Sequence, residues 1–241
     1  MTFSSRLEYI RGEIAAAAAR AGRNPNEVIL IAATKTQSSD TIRAAIAAGV
    51  TACGENRVQE LTAHLADNAY EGARVHFIGH LQTNKVKFVV GKVDLIHSVS
   101  SEKLLLAVEK QAEKAGVIQD ILLEVNLAGE ARKSGFAPEA VVDAVRLTKT
   151  CPHVRLRGLM CIPPICTNPG ENRPFFAKLK ALAVDTRQKI GNNEIDIVYL
   201  SMGMSGDYQD AVVEGSTFVR LGTALFGPRP PMKRADESAD K

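Results

Sequence analysis

A lysine ends a stretch that reads as a buried strand. Ile29-Leu-Ile-Ala-Ala-Thr-Lys35 runs six apolar or small residues into one amine, and the polar segment Thr36-Gln-Ser-Ser-Asp40 follows. A short apolar run rich in β-branched residues suits a strand covered on both faces. An ammonium left at its end costs several kcal/mol on burial unless it is paired or reaches water. The plainer reading is a side chain that snorkels out to solvent. The chemical reading is a partly desolvated amine that loses its proton readily and condenses with an aldehyde. A second stretch, Ser201-Met-Gly-Met-Ser-Gly-Asp207, combines glycines and serines ahead of a helix. Such a loop lets backbone N–H groups approach an anion. Arg220-Leu-Gly222-Thr223 repeats the pattern.

These residues have to be carried by the elements around them. Leu7, Ile10, Ile14 and the run Ala15 to Ala19 predict a leading helix, with Ser5 and Glu8 as a capping box and Gly22 as its stop. Strands are then expected at 28–35, 51–55, 74–80, 95–99, 119–126, 154–160, 195–200 and 217–221. Helices are expected at 41–48, 56–65, 82–90, 101–115, 138–149, 173–189 and 208–213, one after each strand but the last. Eight such alternations predict a single (β/α)₈ TIM barrel with an extra N-terminal helix. A doubly wound open sheet is the architectural alternative. The barrel domain is expected over residues 1–227, with a polar, proline-rich and disordered tail at 228–241.

The barrel gives the polar residues a common address. Lys35, Asn56, His80, Ser98, Asn126, Met160, Ser201 and Arg220 fall at or just past the ends of the eight strands. In a barrel those ends face one mouth, and phosphate is often held by the loops after strands seven and eight. A Schiff-base lysine on strand one would then face a phosphate cradle. An aldehyde that carries a phosphate fits both ends, which points to pyridoxal 5′-phosphate (PLP). A sugar-phosphate aldolase would use the same two features. An arginine at 220 beside a pyridine nitrogen would keep that nitrogen unprotonated and weaken the ring as an electron sink.

Composition narrows the classes. The chain has 241 residues, 45% of them hydrophobic, and a net charge of +3, too small to imply nucleic acid. No apolar run approaches the ~20 residues of a membrane span, and no signal peptide is legible. Cys53, Cys151, Cys161 and Cys166 lack the spacing of a zinc or redox motif, so reduced thiols and a cytoplasmic location are expected.

The chain resembles the YggS/PROSC family of pyridoxal phosphate homeostasis proteins. The matching stretches include Ala33-Thr-Lys-Thr36, Gly54-Glu-Asn-Arg-Val-Gln-Glu60, His76-Phe-Ile-Gly-His-Leu-Gln-Thr-Asn-Lys85 and His97-Ser98. They continue through Val125-Asn126, Arg157-Gly-Leu-Met160, Leu200 to Asp207 and Val219 to Gly227. The resemblance implies a barrel like the N-terminal domain of alanine racemase and an internal aldimine on Lys35. It implies phosphate contacts from Ser201, Gly222 and Thr223, with Met202 to Ser205 nearby. It also implies Arg220 near the pyridine nitrogen and Asn56 near the ring face or the lysine. The implied role is buffering and delivery of PLP, with effects on amino-acid and keto-acid balance. Recipients would be PLP-dependent apo-enzymes, and the protein a monomer or weak dimer. Two departures stand out: Cys161 and Pro164 replace small residues, and lysine stands at 133 in the Glu130–Gly135 loop.

A racemase on this fold needs a second base, supplied in alanine racemase by a tyrosine of the partner subunit. Of Tyr9, Tyr70, Tyr199 and Tyr208, only Tyr208 is expected near the mouth. A weak racemase or lyase is the alternative to a carrier. His76 and His97 alternate with apolar neighbours and are expected to be packed, whereas His80 is a candidate at the mouth.

Overall fold

The computed structural model describes residues 2–130, 133–165, 168–191 and 196–228. Cys166 and, beyond Pro228, the expected tail lie outside the described residues.

Eight parallel strands close in sequence order: β1 Ile29–Ala33, β2 Ala52–Glu55, β3 Arg74–Phe77, β4 Leu95–Val99, β5 Gln119–Glu124, β6 Val154–Met160, β7 Tyr199–Met204 and β8 Phe218–Leu221. The decisive pairing is β8 back onto β1, with Ile29 opposite Phe218 and Ala32 opposite Leu221. An open sheet would leave both strands as edges. The helices are α1 Phe3–Arg20, α2 Ser39–Ala47, α3 Val58–Ala66, α4 Glu102–Ala115, α5 Val141–Thr148, α6 Arg173–Ile190, α7 Tyr208–Val213 and α8 Thr223–Phe226.

Strand alternation divides the core in two. Ile31, Ala52, Leu95, Leu122, Met160 and Phe218 fill the barrel. Their neighbours Ala32, Cys53, Ile96, Ile121, Leu159 and Val219 face outward into the layer under the helices. The leading helix α1 buries Leu7, Ile10, Ile14, Ala17 and Ala18, and Arg6 Nε donates to the Leu225 carbonyl at 2.7 Å. Small alanines allow this close helix packing.

Several boundaries differ from expectation, each for a physical reason. Thr2, not Ser5, caps α1, because the Ser5 amide donates to Thr2 Oγ1 at 3.2 Å and the helix starts a turn earlier. Ser38, rather than Ser39 or Asp40, caps α2. The segment after β3 is the 3-10 helix Thr83–Phe88, and the one before α5 opens on a 3-10 turn, Pro138–Ala140. A helix also follows β8. The largest difference is β7, expected at 195–200 and found at Tyr199–Met204. The glycine suggested a loop, yet Met204 still pairs with Arg220 across an irregular register. Gly203 takes φ +93°, and a Cβ there would lie 2.6 Å from Ala211 Cβ. The strand therefore runs through the glycine, and only Ser205, Gly206 and Asp207 remain for the loop.

Candidate cofactor site at the barrel mouth

Lys35 leaves the end of β1 in a tight turn. The Gln37 amide donates to the Thr34 carbonyl at 3.0 Å, and Thr36 takes φ +67°, an unfavourable conformation for a β-branched residue. Behind the turn, Thr34 Oγ1 donates to Glu55 Oε1 at 2.5 Å and to the Gly54 carbonyl at 3.2 Å. The strand ends carrying Lys35 and Asn56 are thereby tied together. Glu55 is fully buried, with Tyr70 and His64 also on Oε1, at 2.8 and 3.0 Å.

Lys35 and Asn56 open into a cavity of about 260 Å³, shared with Met204, Ser205, Gly206, Arg220, Gly222 and Thr223 and walled by Ala33, Ile78 and Ile162. Ser205 Oγ accepts from the Gly222 and Ala224 amides at 3.3 and 3.2 Å. Two N–H groups thus hold the Ser205 hydroxyl beside that of Thr223, and the two hydroxyls are donors suited to phosphate oxygens. Asp207 shapes this loop: Oδ1 accepts from the Met204 amide at 2.6 Å and Oδ2 from Asn172 at 2.7 Å. Arg220 lies at the floor, 5% exposed. Nη1 donates to Ser201 Oγ at 2.5 Å and Nη2 to the Cys161 carbonyl at 3.0 Å. Burial lowers its pKa, opposed by Cys161, Asp207 and Glu124.

The cavity fits PLP by its donor set and by one orphaned atom. It joins an amine, a guanidinium and an anion-type turn, and Asn56 Oδ1 is buried there without a hydrogen-bond partner. A buried acceptor left bare costs free energy that a ligand donor can recover. Asn56 also rests on Gly79: a Cβ at 79 would lie 2.1 Å from the Asn56 carbonyl oxygen and 2.5 Å from its Cα. Gly79→Ala is therefore expected to destabilise the fold by roughly 1–3 kcal/mol and to weaken ligand binding at the mouth. Thermal unfolding and a PLP titration check the two effects.

Six of the eight expected cofactor residues line this cavity: Lys35, Asn56, Ser205, Arg220, Gly222 and Thr223. Ser201 sits below it, fully buried, with its hydroxyl engaged by Arg220 and by His97 Nδ1 at 2.8 Å. The Met202 side chain faces outward into the layer under the helices. Both displacements follow from β7 lying four residues further along the chain than expected. The walls Ile78 and Ile162 were not foreseen, since an isoleucine near a strand end carries no chemical signal. Tyr208 does not approach the mouth: it is buried, and its phenol is pushed up to about 12 by burial and by Glu13 and Tyr9 of α1. His80 lines an adjoining chamber of about 420 Å³ with Glu124, Asn126, Lys133 and Ser134. In the neighbouring loop Lys133 pairs with Glu130 at 2.7 Å, while Ala131 and Arg132 lie outside the described residues.

Residues 7–230 match the family model of the alanine racemase N-terminal domain. The pyridoxal phosphate homeostasis protein of Aquifex aeolicus is 41% identical over 229 residues, 95% of this chain and 99% of that protein. The chain belongs to the pyridoxal phosphate homeostasis protein family. Its Pseudomonas aeruginosa member is 37% identical over 228 residues, 95% of this chain and 96% of that protein. Among solved structures, the family member PipY of Synechococcus elongatus, with PLP bound, superposes at TM-score 0.82 and 32% identity, over 94% of this chain and 100% of that one. Clostridium difficile alanine racemase shares the fold at TM-score 0.66 and 11% identity, with 57% of its length matched by 91% of this chain. This chain thus shares its barrel fold with a racemase.

Proposed function

We propose that this protein binds PLP at the β7–β8–β1 side of its barrel mouth and serves PLP homeostasis by storing and releasing the cofactor. The observation that carries the reading is a single cavity joining Lys35, Arg220 and the Ser205–Gly222–Thr223 turn. Lys35 supplies the amine for a reversible Schiff base. The Ser205 and Thr223 hydroxyls, with Gly222 between them in the turn, receive the phosphate, Asn56 Oδ1 accepts from the ligand, and Arg220 faces the pyridine nitrogen. When bound, PLP supplies an aldehyde that an amine can take up or displace. The 32% identical relative PipY, solved with PLP, supports the assignment.

Storage rather than turnover is the reading the relatives favour, since they are named as homeostasis proteins. Racemisation on this fold uses a second base facing the lysine, and none of the four tyrosines lines the cavity. Tyr9 is exposed on α1, Tyr70 is held by Glu55, Tyr199 packs on Phe218 at 4.7 Å and Tyr208 lies behind β7. We infer apo-enzymes that require PLP as recipients. A cytoplasmic setting suits the free thiols of Cys53, Cys151 and Cys161. Among the described residues no helix is long and apolar enough to cross a membrane.

The test is an absorbance spectrum with PLP added, before and after borohydride, followed by peptide mapping. A visible band that bleaches and a pyridoxyl adduct on Lys35 are expected. Absence of a band at saturating PLP sinks the reading.

A further inference from the structure

Inside the barrel one line of polar side chains crosses the apolar filling. Arg220 Nη1 donates to Ser201 Oγ at 2.5 Å, Ser201 Oγ lies 2.8 Å from His97 Nδ1, and His97 Nε2 lies 2.8 Å from His76 Nδ1. The four residues come from β8, β7, β4 and β3, and none is more than 5% exposed. The far end, His76 Nε2, is buried without a hydrogen-bond partner.

The protons in this line have a direction. A guanidinium can only donate, so Arg220 occupies a lone pair of Ser201. The serine proton then needs an acceptor, and His97 Nδ1 is the other side-chain atom bonded to that oxygen. His97 consequently carries its proton on Nε2 and donates to His76 Nδ1, which leaves His76 protonated on Nε2. The reverse arrangement would leave both the Ser201 proton and the His76 Nε2 lone pair unsatisfied, two buried orphans instead of one. Both rings are neutral. Burial drives His76 down to about 4, with Asp94 opposing and Arg74 adding to the effect. Burial drives His97 well below its usual range, followed by the effects of His76 and Arg220.

The partners of Arg220 are unusual for a buried cation. Both are neutral, a hydroxyl and a backbone carbonyl, where a buried guanidinium is ordinarily set on a carboxylate. A carboxylate there would cancel the positive potential at the pocket floor. The serine–imidazole–imidazole chain instead turns lone pairs toward Arg220, and each bond polarises the next.

We propose that His97 and His76 are positioning residues: through Ser201 they form an uncharged, one-directional hydrogen-bond chain that fixes the Arg220 guanidinium at the pocket floor without neutralising it. The consequence for cofactor binding rests on the reading that this pocket takes PLP. The direction of the chain does not.

Two measurements test it on the full chain. Nitrogen-15 NMR of histidine-labelled protein without PLP should show His97 and His76 as the Nε2–H tautomer, with neither titrating above about pH 5. A proton on His97 Nδ1 overturns the proposal. In the second measurement PLP is titrated into His97→Leu and His97→Asn. Leucine removes the acceptor, whereas the asparagine amide oxygen can take the place of Nδ1. The leucine variant is expected to bind PLP about tenfold more weakly with a shifted visible band, and asparagine to recover most of both. Unchanged affinity and an unshifted band in the leucine variant overturn the proposal. Should that variant fail to fold by circular dichroism, Ser201→Ala removes the same link with one atom and carries the same expectation. Wild-type protein that shows the expected tautomers and takes no PLP would sink the cofactor reading and leave the chain standing.

Discussion

Lys35→Ala is expected to abolish the borohydride-reducible adduct and the visible band while leaving the barrel folded. The amine sits at the mouth, half-buried and beyond the last paired residues of β1, so its removal opens no core cavity. A stability change within about 1 kcal/mol is expected, as for most partly exposed positions. The phosphate turn and Arg220 remain, so PLP should still bind, at least about tenfold more weakly once the covalent link is lost. Lys35→Arg separates charge from chemistry: the guanidinium keeps its proton and cannot condense with an aldehyde. It should fail to form the adduct as completely as alanine. Equilibrium dialysis with PLP, borohydride trapping and a thermal melt together measure these outcomes. An adduct that persists at wild-type yield on another lysine would remove Lys35 from its role.

The position of Lys35 at the mouth is legible in the sequence, and that of Ser201 less so, for a physical reason. A strand-end position is legible because an amine after an apolar run has only a few satisfactory environments. The barrel followed from eight alternations, since parallel strands of this length need helical crossovers, and the β8–β1 pairing decided closure. Register was not legible at Ser201-Met-Gly-Met204. Glycine there suggests a loop by local preference, whereas tertiary pairing with β8 makes it strand. One consequence is that Ser201 becomes a buried link to Arg220 and Met202 a packing residue. The histidines illustrate a second limit. His76 and His97 were expected to be packed, and they are buried, but alternation with apolar neighbours cannot reveal that residues 21 positions apart meet at 2.8 Å. Pairing across a barrel depends on shear and tilt, which no local pattern encodes.

Glu55→Leu is expected to be the most destabilising substitution near the site, at about 3–5 kcal/mol. The carboxyl is fully buried, and its Oε1 gathers Thr34 Oγ1, the Tyr70 hydroxyl and His64 Nδ1. The Tyr70 phenol is held far above its usual pKa by burial and by Glu55, so it stays a donor. Leucine fills the volume and removes the common acceptor. Tyr70 and His64, 3.2 Å apart, can partly satisfy each other, and Thr34 retains the Gly54 carbonyl at 3.2 Å, which keeps the loss short of three unpaired groups. For a chain of this size the melting temperature should fall on the order of 10 °C. Glu55→Gln keeps an oxygen at the Oε1 position and puts an amide where Oε2 has no partner, so it should lose less than half as much. The same cluster ties Thr34, next to Lys35, to the strand end that carries Asn56. PLP affinity should therefore fall in the leucine variant by more than in glutamine, measured below both melting transitions. A leucine variant within about 1 kcal/mol of wild type would show that Glu55 neither holds the strand ends nor sets the position of the lysine.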